Sequence, residues 1–106
     1  MKAYSVLIGA PNDTRRFSPT AERRLQQITA RHFPGGFTIL DAKGAWYDPA
    51  RRAFRREQAR QIVVTTAQLR RLRPWCLELG AALNQKEILL LEAGRMTRVV
   101  MRPPRR

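Results

Sequence analysis

The spacing of apolar residues changes several times along this chain, and each change marks an element. Lys2 to Ile8 (KAYSVLI) is a short apolar run closed by Gly9-Ala10-Pro11-Asn12-Asp13, which predicts a buried strand followed by a loop. From Ala21 the interval becomes helical. Ala21, Leu25, Ile28 and His32 recur at steps of four, three and four and so share one face. Ser18-Pro19 opens that helix, because serine accepts a bond from an orphan N–H and proline suits the first turn. Phe33-Pro34-Gly35-Gly36 ends it.

Two extended runs follow, FTILDAKGAWY and FRREQARQIVV, joined by Asp48-Pro49-Ala50-Arg51-Arg52. Aspartate then proline is turn chemistry, since proline fixes φ and aspartate bonds its own downstream backbone. Alternation sends Phe37, Ile39, Asp41, Lys43, Ala45 and Tyr47 one way and Thr38, Leu40, Ala42, Gly44 and Trp46 the other. The second set is smaller and more apolar, and is expected to face the helices. After the turn no clean apolar set appears, so the hairpin tip is expected to project beyond the core or to meet another subunit.

Thr65-x-x-Gln68 has the form of a capping box opening a second helix. Leu69, Leu72, Cys76, Leu79 and Leu83 supply its apolar stripe, and Pro74 should kink or divide it. Glu87–Leu91 and Met96–Met101 then flank Glu92-Ala93-Gly94-Arg95, a predicted hairpin. The order is strand, helix, strand, strand, helix, strand, plus an extra C-terminal strand. That is an α+β, ferredoxin-like βαββαβ arrangement, an antiparallel sheet with two helices on one face. It fills residues 1–101 as one domain, with 102–106 as a basic tail. The uncovered face invites homo-oligomerisation.

Charge adds a second theme. The chain has 21 basic and 8 acidic residues, a formal +13, and all but Lys2, Lys43 and Lys86 of the basic residues are arginines. Such a balance brings nucleic acid into consideration as a partner, although the arginines are spread over the whole chain. The sheet lacks the paired aromatics expected of an RNA-recognition surface. One cysteine, Cys76, excludes an intramolecular disulfide and offers no metal cluster. It fits a reducing cytoplasm. No apolar run approaches the roughly 18 residues of a membrane span. Nor is there a phosphate loop, for the spaced glycines and lysine are missing. Neither a metal nor a cofactor is expected.

The string Phe37-Thr38, Asp41, Gly44-x-Trp46, then Glu57 ahead of Ile62 and Val64, then a late Gln85, resembles a group of small bacterial and phage ferredoxin-like proteins of unknown function. Gly44-x-Trp46 followed by Glu57 is also distantly similar to the phage S-adenosylmethionine lyases. Those lyases carry a tyrosine where this chain has Trp46. Tyr47 is adjacent, but adjacent strand residues point to opposite faces. The resemblance implies a small homo-oligomer, a trimer, with a nucleoside-like ligand held between subunits. It implies that Glu57 is the catalytic carboxylate and that Trp46, Tyr47, Asp41 and Gln85 contact ligand.

Each of these residues also has a structural explanation open to it. Glu57 could pair with Arg55, Arg60 or an arginine of a neighbouring strand, and Trp46 could fill a core or interface. Asp41 could face an arginine or bond a nearby loop, and Gln85 could terminate the second helix. His32 and Cys76 lie on apolar helix faces and are expected to be structural. Two functions therefore stand side by side: a nucleoside-ligand protein of the lyase type, and an arginine-rich module that binds nucleic acid or docks an acidic protein.

Overall fold

The computed structural model describes residues 1–11, 16–92 and 95–101, with 95–98 as backbone only. Its elements are β1 (Lys2–Gly9), α1 (Pro19–His32), β2 (Thr38–Asp48), β3 (Ala53–Thr66), α2 (Leu72–Ala82), β4 (Glu87–Glu92) and β5 (Arg95–Val100). A 3₁₀ turn, Leu69–Arg71, precedes α2. All neighbouring strands are antiparallel, in the order β2-β3-β1-β4-β5. This is the expected ferredoxin-like arrangement, with β5 added outside β4. Asn12 and Asp13 of the first loop, the 93–94 turn and the tail at 102–106 lie outside the described residues.

The core forms where strand alternation meets the two helix stripes. Tyr4, Val6 and Ile8 of β1 are buried, and Val6 and Tyr4 pair in register with Ile62 and Val64 of β3. Leu25 and Ile28 of α1 and Leu72, Trp75, Cys76 and Leu79 of α2 close over them. Each large side chain removed from water in this way contributes about 1.5–3 kcal/mol. Ser18 caps α1 as the sequence suggests, its Oγ accepting from the Ala21 N–H at 3.0 Å. Gly36 follows with φ of 128°, a conformation that favours glycine.

Three expectations are corrected. On β2 it is Phe37 and Ile39, not Leu40, Ala42 and Trp46, that turn toward the core. Register explains this, because Ile39 lies opposite Ile62, itself opposite Val6. The capping box is not made. β3 runs on through Thr66, whose hydroxyl accepts from the Gln68 N–H at 2.9 Å. Leu69 then falls in the 3₁₀ turn and is 60% exposed. Pro74 does divide the predicted stripe: the α-helix begins only at Leu72, so proline sits in the first turn, where its missing N–H leaves no bond unmade.

Trp75 fills the place that Leu69 does not. It is fully buried, packs edge-on against Phe33 with ring centroids 5.0 Å apart, and donates from Nε1 to Thr29 Oγ1 at 3.1 Å. Glu78 ties the same two helices from outside, accepting from Arg31 and meeting His32 Nε2 at 2.9 Å. His32 is thus part of an inter-helix clasp.

β3 is the longest strand, and its length shapes the molecule. β1 pairs only with 59–66 of β3, whereas β2 pairs with 53–63. Ala10 N–H still donates to Gln58 O at 3.0 Å, but among the described strands residues 53–57 pair with β2 alone, and β2 and β3 leave the body as a two-stranded arm. The projecting tip matches the expectation from the sequence. Its turn is held by Asp48 Oδ1, which accepts from the Ala50 N–H at 3.0 Å, with Arg52 at φ of 51°.

Trp75→Ala is expected to lower unfolding free energy by about 3–5 kcal/mol, while Leu69→Ala changes it by less than about 0.5 kcal/mol; denaturant titration of both checks this. The His32 contact, chiefly, and Arg31 hold the Glu78 carboxyl below its usual 4.5. A lowered folded-state value stabilises the fold above the unfolded-state value, and that contribution is lost as pH falls through the folded one. The loss is small because Glu78 is a third exposed. Melting temperature should therefore fall less between pH 6 and pH 3 in Glu78→Gln than in the parent chain.

Candidate functional site

Where β1 stops and the arm begins, one carboxylate lies between two glycines. Gly9, the last residue of β1, pairs with Ala59, and Gly44 of β2 pairs with Glu57. Glu57 thus follows two positions beyond the end of β1 pairing, on the sheet face opposite the helices. A Cβ at Gly9 would lie 2.8 Å from Glu57 Oε1, and one at Gly44 would lie 3.5 Å from Glu57 Cγ. The missing side chains on both flanking strands give the Glu57 side chain its room.

Gln85 reaches the same place from the turn after α2. Its Nε2 donates to Ala10 O at 3.0 Å and Leu83 O at 3.2 Å. With the amide nitrogen fixed there, Oε1 is directed to 3.7 Å from the Gly9 Cβ position. Two side-chain oxygens, both acceptors, therefore converge beside Gly9. A pair of acceptors suits a ligand that presents donors or positive charge, such as a ribose diol, an ammonium or a sulfonium.

The distribution of charge sharpens this. Glu22 and Asp41 share Arg60, at 3.1 and 3.4 Å. Asp48 lies 3.9 Å from Arg51 and 3.7 Å from Arg55, Glu78 holds Arg31 and His32, and Glu92 meets Lys2 at 3.5 Å. Glu87 is engaged as well. Among the described acids, Glu57 is the one that no hydrogen bond or ion pair reaches. Arg55 and Arg60, near it in sequence, are drawn elsewhere, Arg55 to Asp48 and Arg60 to Glu22. In a chain of net +13 this is an informative vacancy of partners.

Of the five residues singled out as ligand contacts or catalyst, three share this side of the sheet. Trp46, 49% exposed, lies two positions along β2 from Gly44, with the Arg55 guanidinium 5.5 Å from its ring centre. Tyr47 and Asp41 are on the helix-side face. Tyr47 stacks edge-on with its cross-strand partner Phe54 at 5.5 Å, and Asp41 is directed at Arg60 with its side chain 90% exposed. The Tyr47–Phe54 pair also corrects the expectation that the sheet has no paired aromatics. The two are seven residues apart in sequence and meet only through hairpin register.

Gly9 was legible in the sequence as a strand terminator but not as one wall of this cradle, which needs the β1–β3 register. Cys76 is no competing nucleophile, since burial raises its thiol to about 11. Among the described residues no group of three or more metal-ligating side chains occurs, and no helix is long and apolar enough to cross a membrane.

No protein-family model and no curated protein matches the chain. Solved structures do. A phage SAM lyase in the apo state aligns over 97% of this chain and 91% of its own, with TM-score 0.68 and 9% identity. A phage SAM lyase in complex with S-methyl-5′-thioadenosine aligns over 92% and 88%, with TM-score 0.64 and 12% identity. A B. subtilis GlnK–ATP complex aligns over 90% and 94%, with TM-score 0.52 and 14% identity. What this chain has in common with the phage SAM lyases, over nearly its whole length, is the ferredoxin-like fold.

Proposed function

We propose that the protein is a homo-oligomer, a trimer, that holds a nucleoside-like ligand at Glu57 and acts on S-adenosylmethionine as a lyase. The observation that carries this reading is the convergence of Glu57 and Gln85 Oε1 beside Gly9, two acceptors without a donor among the described residues. A sulfonium is the kind of group such a place attracts, and Trp46 on the same side offers an aromatic face to a cation or a purine. The ligand in one of the phage SAM lyase structures, S-methyl-5′-thioadenosine, is the product this chemistry would leave.

The reaction needs little from the protein beyond positioning. An oxygen of the substrate's own carboxylate attacks the γ-carbon, and the carbon–sulfur bond breaks. Its electron pair stays on sulfur and cancels the sulfonium charge. The products are methylthioadenosine and homoserine lactone, with no water or cofactor consumed. Holding the attacking oxygen in line supplies much of such a barrier, and Glu57 keeps the sulfonium in place. The oligomer is supported by the open sheet face. Leu7, Leu89 and Leu91 are only partly buried there, Leu40 is 46% exposed, and the two helices pack on the opposite side. A second copy on that face would enclose the Glu57 cradle.

Incubation of the purified protein with S-adenosylmethionine, followed by chromatography, is expected to yield methylthioadenosine and homoserine lactone. Glu57→Gln should cut turnover at least about 100-fold, a loss of about 2.7 kcal/mol of transition-state stabilisation. Gly9→Ala should do similar damage by displacing the Glu57 carboxylate, with the circular dichroism spectrum unchanged. Sedimentation equilibrium should give the mass of three chains. No product from the parent protein, or full activity in Glu57→Gln, would sink the lyase reading.

A further inference from the structure

The other face of the arm carries a different chemistry. Four cross-strand pairs follow one another along it from the tip inward: Tyr47–Phe54, Ala45–Arg56, Lys43–Gln58 and Asp41–Arg60. Tyr47 and Phe54 are 50% and 70% exposed, and Lys43, Arg56 and Gln58 are exposed too. Behind the aromatic pair lies an open groove of about 540 Å³, lined by Arg16, Lys43, Arg56 and Gln58 with Gly44, Ala45 and Glu57. Gln58 anchors the segment that brings Arg16 there, its Oε1 accepting from the Phe17 N–H at 2.8 Å. The Glu57 carboxylate itself lies on the opposite face of the sheet, beside Gly9.

Charge separates the two faces of the arm. On the open face Arg55 is engaged by Asp48, and on the inner part of the helix-side face Arg60 is engaged by Glu22 and Asp41. Lys43 and Arg56 have no carboxylate within ion-pair distance among the described residues. An exposed aromatic platform therefore leads, along a single face, into uncompensated cations. Tyr47 and Lys43 are four residues apart, about 13 Å of strand, so one extended ligand can reach both the aromatic pair and the cations.

We infer that this helix-side face of the β2–β3 arm binds single-stranded nucleic acid, with bases stacking on Tyr47 and Phe54 and phosphates meeting Arg56 and Lys43. Aromatic faces next to cations are what a sequence-tolerant single-strand site requires, since every base has a π-face and every nucleotide a phosphate. The surface is distinct from the acceptor pair at Glu57, which faces the other way and suits a cation.

The test uses fluorescence anisotropy of a labelled 12-nucleotide single strand over a range of salt concentrations. Lys43→Ala/Arg56→Ala is expected to reduce the slope of log affinity against log salt by about 1.4, at ~0.7 per phosphate contact on a single strand. Tyr47→Ala/Phe54→Ala should weaken binding at least about fivefold while leaving that slope unchanged. All four side chains are exposed, so the melting temperature should hold in both variants. Arg23→Ala/Arg24→Ala removes the same charge from the exposed surface of α1 and should leave affinity nearly unchanged. An equal slope loss in that control would mean diffuse attraction to a basic protein and would overturn the site. So would unaltered affinity in the aromatic variant, or displacement of the strand by a mononucleotide at equal phosphate concentration.

Discussion

The unequal lengths of β1 and β3 are the constraint from which the rest of this molecule follows. β3 has 14 residues and β1 has 8, so one end of β3 sits in the middle of a five-stranded sheet and the other has a partner on one side only. Inside the sheet, alternation can be satisfied by two helices and produces a core. Outside it there is nothing to bury against, and the side chains become mixed in character. The boundary between the two regimes falls at Gly9, and there the strand end opens the space that Glu57 and Gln85 enter.

Electrostatics then separates structural from available charge. With so many arginines, an acid that can reach one does so, and the ion pairs map the fold: Arg60 joins α1 to β2 and β3, Arg31 and His32 join α1 to α2, and Asp48 closes the arm's turn. Most of these pairs are partly exposed and each is worth little in stability. Their larger effect is to remove charge from consideration. Among the charges they leave are a carboxylate at the foot of the arm and a lysine and an arginine along its far face, and the two proposed activities rest on those three.

The fold was largely legible because its signals are local. The serine cap before Pro19, the helical stripe through Leu25 and Ile28, the Asp48-Pro49 turn and the run of extended segments are each readable within a dozen residues. Errors arose where the answer depended on a partner. Leu69 and Thr65 fit a helix pattern perfectly well by spacing, yet β3 continues two residues further to pair with β1, and the helix starts later. Likewise the β2 residues that face the core are chosen by register rather than by composition. Small apolar residues are not drawn inward by size; Ile39 points inward because Ile62 does.

Among the site residues, Glu57 and Gln85 could be selected from sequence only by resemblance, for nothing local distinguishes a glutamate between arginines from a paired one. The sequence by itself determined the element order, the helix stripes, the hairpin and the surplus of positive charge, all consequences of residue type and short-range periodicity. The tertiary structure decided which arginines find carboxylates, that Tyr47 meets Phe54, and that Gly9, Gly44 and Gln85 surround Glu57. Those outcomes depend on register between segments dozens of residues apart, and register is a property of paired strands that no single strand contains.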